Sequence, residues 1–139
     1  MAGRLILVVD DDRDTREAFV EWLEWGGDVV VAADSAASAE AGLAGRVPTV
    51  CIFDLQLGGG TGLDVFRYLR AHVPGFHDTL SVVVSGMNPQ TVDQLIEAAE
   101  MSGVIVLTKP VDPHVLDGVI DRALAGQNVS RAVGQTARE

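Results

Sequence analysis

Five polar side chains in this sequence stand where short apolar runs break off. Asp10 and Asp11 follow Leu5–Val9, Asp54 follows Val50–Phe53, and Ser85 follows Leu80–Val84. Lys109 comes after Val104–Leu107, past Thr108 and before Pro110. If the runs lie side by side in one sheet, three carboxylates, a hydroxyl and an ammonium meet at one edge. Crowded carboxylates repel one another unless a divalent cation sits among them. Magnesium suits such a site, with a few carboxylates and several waters, and manganese is the alternative. A carboxylate can also be the nucleophile that takes a phosphoryl group. The charge it gains then calls for a cation such as Lys109 and a donor such as Ser85. Taken singly, each residue is ordinary: an acidic run is usually a solvated loop, and Ser-Gly and Lys-Pro are common turn pairs. Their joint placement at the ends of four separate runs carries the reading.

The elements that must position them are legible as two periods. The five runs Leu5–Val9, Val29–Ala33, Val50–Phe53, Leu80–Val84 and Val104–Leu107 are continuous and rich in Val, Ile and Leu. Such runs predict strands buried on both faces of a parallel sheet. The stretches between them have helical spacing. Ala18, Trp22 and Trp25 are expected on one face, as are Leu63, Phe66 and Leu69. Val92, Leu95, Ile96 and Ala99 form a third stripe, and Leu116, Val119, Ile120 and Ala123 a fourth. Asp12 and Ser35 are expected to cap helices, Gly26 to end one, and Pro89 and Pro113 to stand in first turns, the latter after a capping Asp112. Strict alternation of five strands and five helices implies a parallel α/β sheet covered on both faces. In such a sheet, ligands bind outside the carboxyl ends of the strands.

Composition narrows the class. The 139 residues suit one domain, expected over 1–125, with 126–139 a polar tail or linker stub. A net charge of -10 argues against direct nucleic-acid binding, which needs a basic face. Cys51, the single cysteine, excludes a disulfide framework and is expected to be a small buried hydrophobe. Leu5–Val9 is too short for a signal or membrane segment, so the cytoplasm is the expected compartment. His72, His77 and His114 lack metal-ligand spacing and are expected at surfaces or helix ends. Trp22 and Trp25 are expected to pack a helix.

At the segments Leu5-Ile-Leu-Val-Val-Asp-Asp-Asp12, Phe53-Asp-Leu-Gln-Leu-Gly58, Val84-Ser-Gly86 and Leu107-Thr-Lys-Pro110, the sequence resembles the response-regulator receiver family, over roughly Arg4 to Ala125. The resemblance implies a flavodoxin-like, doubly wound five-stranded sheet of order 2-1-3-4-5. It implies that Asp54 accepts a phosphoryl group from a sensor histidine kinase or phosphotransfer protein, with magnesium-dependent self-phosphorylation and self-dephosphorylation. Asp11 would touch the metal directly, Asp10 would hold it through a water, and Asp54 and the backbone carbonyl of Gln56 would complete the protein ligands. Lys109 would pair with the acyl phosphate, the bond before Pro110 is often cis, and Ser85 is the switch hydroxyl. Gln56 and Met87 would border the path of the attacking water. The implied partners are the phosphodonor and a downstream protein or output domain, with no direct nucleic acid and no membrane. The chain is expected to be a monomer or a phosphorylation-dependent dimer.

Two departures stand out. The loop after Asp54 has Gly58 where the family usually has Pro, and Thr61 where it has Asp, so it is expected to be more mobile than usual. Val106 replaces the usual Tyr or Phe, which removes the aromatic half of the common switch. A switching signal is therefore expected to run through Gly86–Pro89 and the helix that follows. Two other readings compete. A haloacid-dehalogenase-like phosphatase would need a second acid two residues after the nucleophile, where this chain has Gln56. A receiver fold that had lost its chemistry would not be expected to keep the full acid, Asp, Ser and Lys set.

Overall fold

The computed structural model describes residues 3–57, 60–98 and 104–126. Five parallel strands, β1 (Leu5–Val9), β2 (Val29–Ala33), β3 (Val50–Asp54), β4 (Leu80–Ser85) and β5 (Ile105–Thr108), lie in the order β2-β1-β3-β4-β5. Between and after them come α1 (Arg13–Trp25), α2 (Ala36–Leu43), α3 (Gly62–His72), α4 (Pro89–Ala98) and α5 (Pro113–Leu124). This is the expected flavodoxin-like architecture. The expected tail from residue 127 on, Ala99 and the glycines at 58 and 59 lie outside the described residues.

The strand period of two divides the interior into two cores. Ile6, Val8, Ile52, Val82, Val84, Ile105 and Leu107 pack with Leu23 of α1 and with Leu116, Val119 and Ile120 of α5. Leu7, Val9, Cys51, Phe53, Val83 and Val106 pack on the other face with residues of α2, α3 and α4. Because both faces are covered, the strands carry no polar alternation, which is why they read as unbroken apolar runs. Cys51 is fully buried, and burial pushes its thiol well above the ordinary range, so it behaves as a small hydrophobe.

The helix signals hold at most ends. Asp12 accepts the Thr15 N–H, Ser35 accepts the Ser38 N–H, and Asp112 accepts the His114 N–H. Gly26 ends α1, and Pro89 and Pro113 open α4 and α5. The expected stripe of α1 needs correction. Trp22 is partly buried, but Ala18 is exposed and Trp25 is 90% exposed. At about 100° per residue, Phe19 and Leu23 centre the inward face, and Ala18 and Trp25 lie well to one side of it. The three histidines are exposed, and His72 closes α3 with its Nδ1 2.8 Å from the Tyr68 carbonyl.

Two features had no sequence signal. A two-residue antiparallel ribbon pairs Gln56–Leu57 with Gly60–Thr61, and a buried ion cluster gathers at the amino-terminal edge of the sheet. Arg4 forks onto Asp28, with Nε and Nη2 each 3.0 Å from a carboxylate oxygen. It also reaches Asp121 of α5 at 3.1 Å.

Candidate functional site

Three strand ends build the site. After β1, Asp10 continues the alternation of Ile6 and Val8; in β3, Asp54 continues that of Val50 and Ile52; after β5, Lys109 continues that of Ile105 and Leu107. All three therefore start from the face that α1 and α5 cover. Register brings them together, since Val9 pairs with Phe53 and so sets Asp10 beside Asp54. Lys109 Nζ lies 2.5 Å from Asp54 Oδ2. The other carboxylate oxygen, Oδ1, accepts the Gln56 N–H at 2.9 Å. Asp54 is only 6% exposed, so these contacts hold a charged group that has left water.

Asp10 is buried, at 3% exposure, and its Oδ1 accepts the Asp12 N–H at 2.9 Å. Burial, joined by the charges of Asp54 and Asp11, raises its carboxyl above the usual range, against the pull of the Asp12 N–H and of Lys109. Burial alone would lower the Lys109 ammonium, but its bond to Asp54 and the charges of Asp54, Asp10 and Asp12 outweigh that and raise it. Asp11, the next residue along the chain, is exposed.

Ser85 belongs to the opposite face. It continues the alternation of Ser81 and Val83, and its Oγ accepts the Met87 N–H at 2.9 Å. Met87 packs against the core that contains Val106, Val92 and Ile96. The Lys109 N–H donates to the Ser85 carbonyl at 2.9 Å, which ties the two loops together, and the Lys109–Pro110 bond is cis as the resemblance suggested.

No three His, Cys, Asp or Glu side chains form a ready metal-holding group among the described residues. The donor chemistry nevertheless fits magnesium, which keeps several waters and needs only one or two carboxylates. Asp10 and Asp54 are buried neighbours whose charges oppose one another, and Lys109 brings a single positive charge against the two.

Sequence reasoning passed over Gly62, the first residue of α3. Its N–H donates to the Leu55 carbonyl at 2.8 Å. A Cβ there would press into the Asp54 carbonyl oxygen and come within 2.6 Å of Phe53 Cδ1. A glycine standing between Thr61 and the apolar stripe that begins at Leu63 was the available signal. Gly62→Ala is expected to cost about 1–3 kcal/mol, as overpacking does, and to displace Asp54. Urea unfolding measures the first effect and the Asp54 amide resonance the second; a variant unchanged in both would refute this.

A doubly wound sheet thus carries acids, a hydroxyl and a lysine at its carboxyl edge. The response regulator receiver domain model matches residues 6–121, and the chain belongs to that family. It is thus a receiver of the two-component phosphorelay type, a signalling domain. Receiver domains generally bind magnesium at the acidic pocket and interact with histidine kinases and output domains. The chain is 35% identical over 111 residues to the alginate biosynthesis transcriptional regulatory protein AlgB of Pseudomonas aeruginosa, covering 80% of this chain and 24% of that protein. It is 32% identical over 113 residues to the photosynthetic apparatus regulatory protein RegA of Cereibacter sphaeroides, covering 81% of this chain and 59% of that one. The chain therefore spans between a quarter and three fifths of these relatives. A response regulator receiver protein from Pseudomonas putida superposes with a TM-score of 0.72 at 31% identity, covering 88% of this chain and 98% of that one. No helix among the described residues is long and apolar enough to cross a membrane.

Proposed function

We propose that Asp54 is the phospho-acceptor of this receiver. The observation that carries the reading is the buried Asp54 carboxylate, held by Lys109 and the Gln56 N–H beside Asp10. A carboxylate oxygen attacks phosphorus, an O–P bond forms, and the bond from phosphorus to the donor breaks. The donor is a histidine kinase or a phosphotransfer protein, with acetyl phosphate as a small substitute, and its leaving group departs with the electron pair. Lys109 stays beside the new phosphoryl oxygens and offsets their charge. Asp10, Asp11, Asp54 and the Gln56 carbonyl would hold magnesium, or manganese, with Asp10 acting through a water. When bound, the metal supplies charge neutralisation at the transferring group.

The Ser85 hydroxyl then gives up the Met87 N–H for a phosphoryl oxygen and draws the loop from Gly86 to Pro89 with it, towards α4. Val106 is short and stiff at χ1, so it moves little. Gln56 and Met87 flank the approach of water and set the lifetime. The domain is residues 1–125. It works in the cytoplasm as a monomer or phosphorylation-dependent dimer and passes the signal to a downstream protein or output domain, without touching nucleic acid or membrane itself.

Incubation with acetyl phosphate and magnesium should place one phosphoryl group per chain. The label should be sensitive to hydroxylamine, as an acyl phosphate is, and should map to Asp54 by peptide mass spectrometry. A label on another residue, or full labelling after chelation of divalent metals, would overturn the assignment.

A further inference from the structure

Arg16 was not among the residues that the sequence pattern singled out. It sits in the second turn of α1, partly buried, and its Nη1 donates to the backbone carbonyl of Asp10 at 2.8 Å. That carbonyl belongs to the peptide joining Asp10 to Asp11. Two other bonds hold Asp10: its N–H donates to the Ala33 carbonyl of β2 at 3.1 Å, and its Oδ1 accepts the Asp12 N–H. Arg16 is thus a bond from the body of a helix to this turn. The others come from an adjacent strand and from the turn itself.

We propose that Arg16 is a positioning residue of the site: its bond to the Asp10 carbonyl fixes the Asp10–Asp11 peptide and so holds both acids in the attitude that receives a cation. This rests on the reading of the site given above. The turn that carries the acids is short and heavily charged, and its neighbouring negative charges repel one another. A guanidinium anchored in α1 offers both a hydrogen bond to a partly buried carbonyl and a nearby positive charge. The bond is the part that sets geometry, and outer-shell bonds of this kind are commonly worth about tenfold or more in metal affinity.

The test uses the whole chain. In metal-free protein, Arg16→Met should shift the amide resonances of Asp10, Asp11 and Asp12 and leave those of α5 in place. By calorimetry, its magnesium affinity should fall about tenfold. With acetyl phosphate, the magnesium midpoint for phosphorylation should rise, and the rate at saturating magnesium should return close to that of the parent. Arg16→Lys, which keeps a donor and a charge, should recover part of the affinity. At about 1 M salt, where charges are screened beyond roughly 3 Å, the gap between Arg16→Met and the parent should persist. Parent-like magnesium affinity in Arg16→Met would overturn the proposal, as would a gap that closes in salt, which would mean a charge effect only. If the parent itself takes phosphoryl groups without magnesium, the functional reading fails, and the metal-free amide shifts still decide whether Arg16 holds the turn.

Discussion

Asp54→Asn is expected to fold like the parent chain and to take up no phosphoryl group. The amide oxygen can still accept the Gln56 N–H that Asp54 Oδ1 accepts at 2.9 Å, so the turn after β3 keeps its anchor. What is lost is the second, charged oxygen that faces Lys109 at 2.5 Å. The Lys109 side chain is 34% exposed and can turn to water, so the change in stability should stay within about 1 kcal/mol. An amide oxygen has little nucleophilic character, and its nitrogen lone pair is delocalised, so no acyl phosphate can form. Circular dichroism should show parent-like melting, and mass spectrometry should show no added phosphoryl group with acetyl phosphate and magnesium. Labelling at the parent's level would remove Asp54 from its assigned role.

The second large effect concerns stability alone. Arg4→Met should destabilise the domain by about 3–5 kcal/mol, the usual result of leaving one partner of a buried ion pair behind. Asp28 is buried, and its two oxygens face Arg4 Nε and Nη2 at 3.0 Å each. The Asp28 hydrogen bond is also the main influence that raises the Arg4 guanidinium, against the cost of burial. Asp117 and Asp121 are about half exposed and add little. The double change Arg4→Met with Asp28→Leu should recover most of the loss, because a well-packed apolar pair removes the stranded charge. Urea unfolding of the single and double variants checks both statements. A single variant within about 1 kcal/mol of the parent would show that the cluster is solvated in solution.

The sheet and most of the site were legible in the sequence for one physical reason. Strands covered on both faces are apolar throughout, so the first polar residue after each run marks where the sheet meets water. That places Asp10, Asp54 and Ser85, and Lys109 one residue beyond Thr108, without any knowledge of their contacts. Helix faces were legible where aliphatic residues recur at i, i+3 and i+4, as in α5 with Leu116, Val119 and Ile120. They were misread in α1, where two tryptophans drew attention away from Phe19 and Leu23. The Arg4 cluster was hidden because its partners lie 24 and 117 residues away, and a lone arginine before a strand looks like an ordinary charged flank. Gly62 and Arg16 act through backbone atoms of Asp54 and Asp10, and side-chain patterns do not reveal such contacts. The ribbon at Gln56–Leu57 is too short to show any period.

The two-faced alternation at the carboxyl edge has a consequence for traffic. Asp54 and Lys109 start from the side of α1 and α5, whereas Ser85 and Met87 start from the side of α3 and α4. On the proposed reading, a phosphoryl group is loaded from one side of the sheet and sensed from the other. A donor seated over α1 would leave the α4 side uncovered, so a reader could wait there before the transfer occurs. Loading and readout on opposite faces would then leave room at the sheet edge for two partners at once.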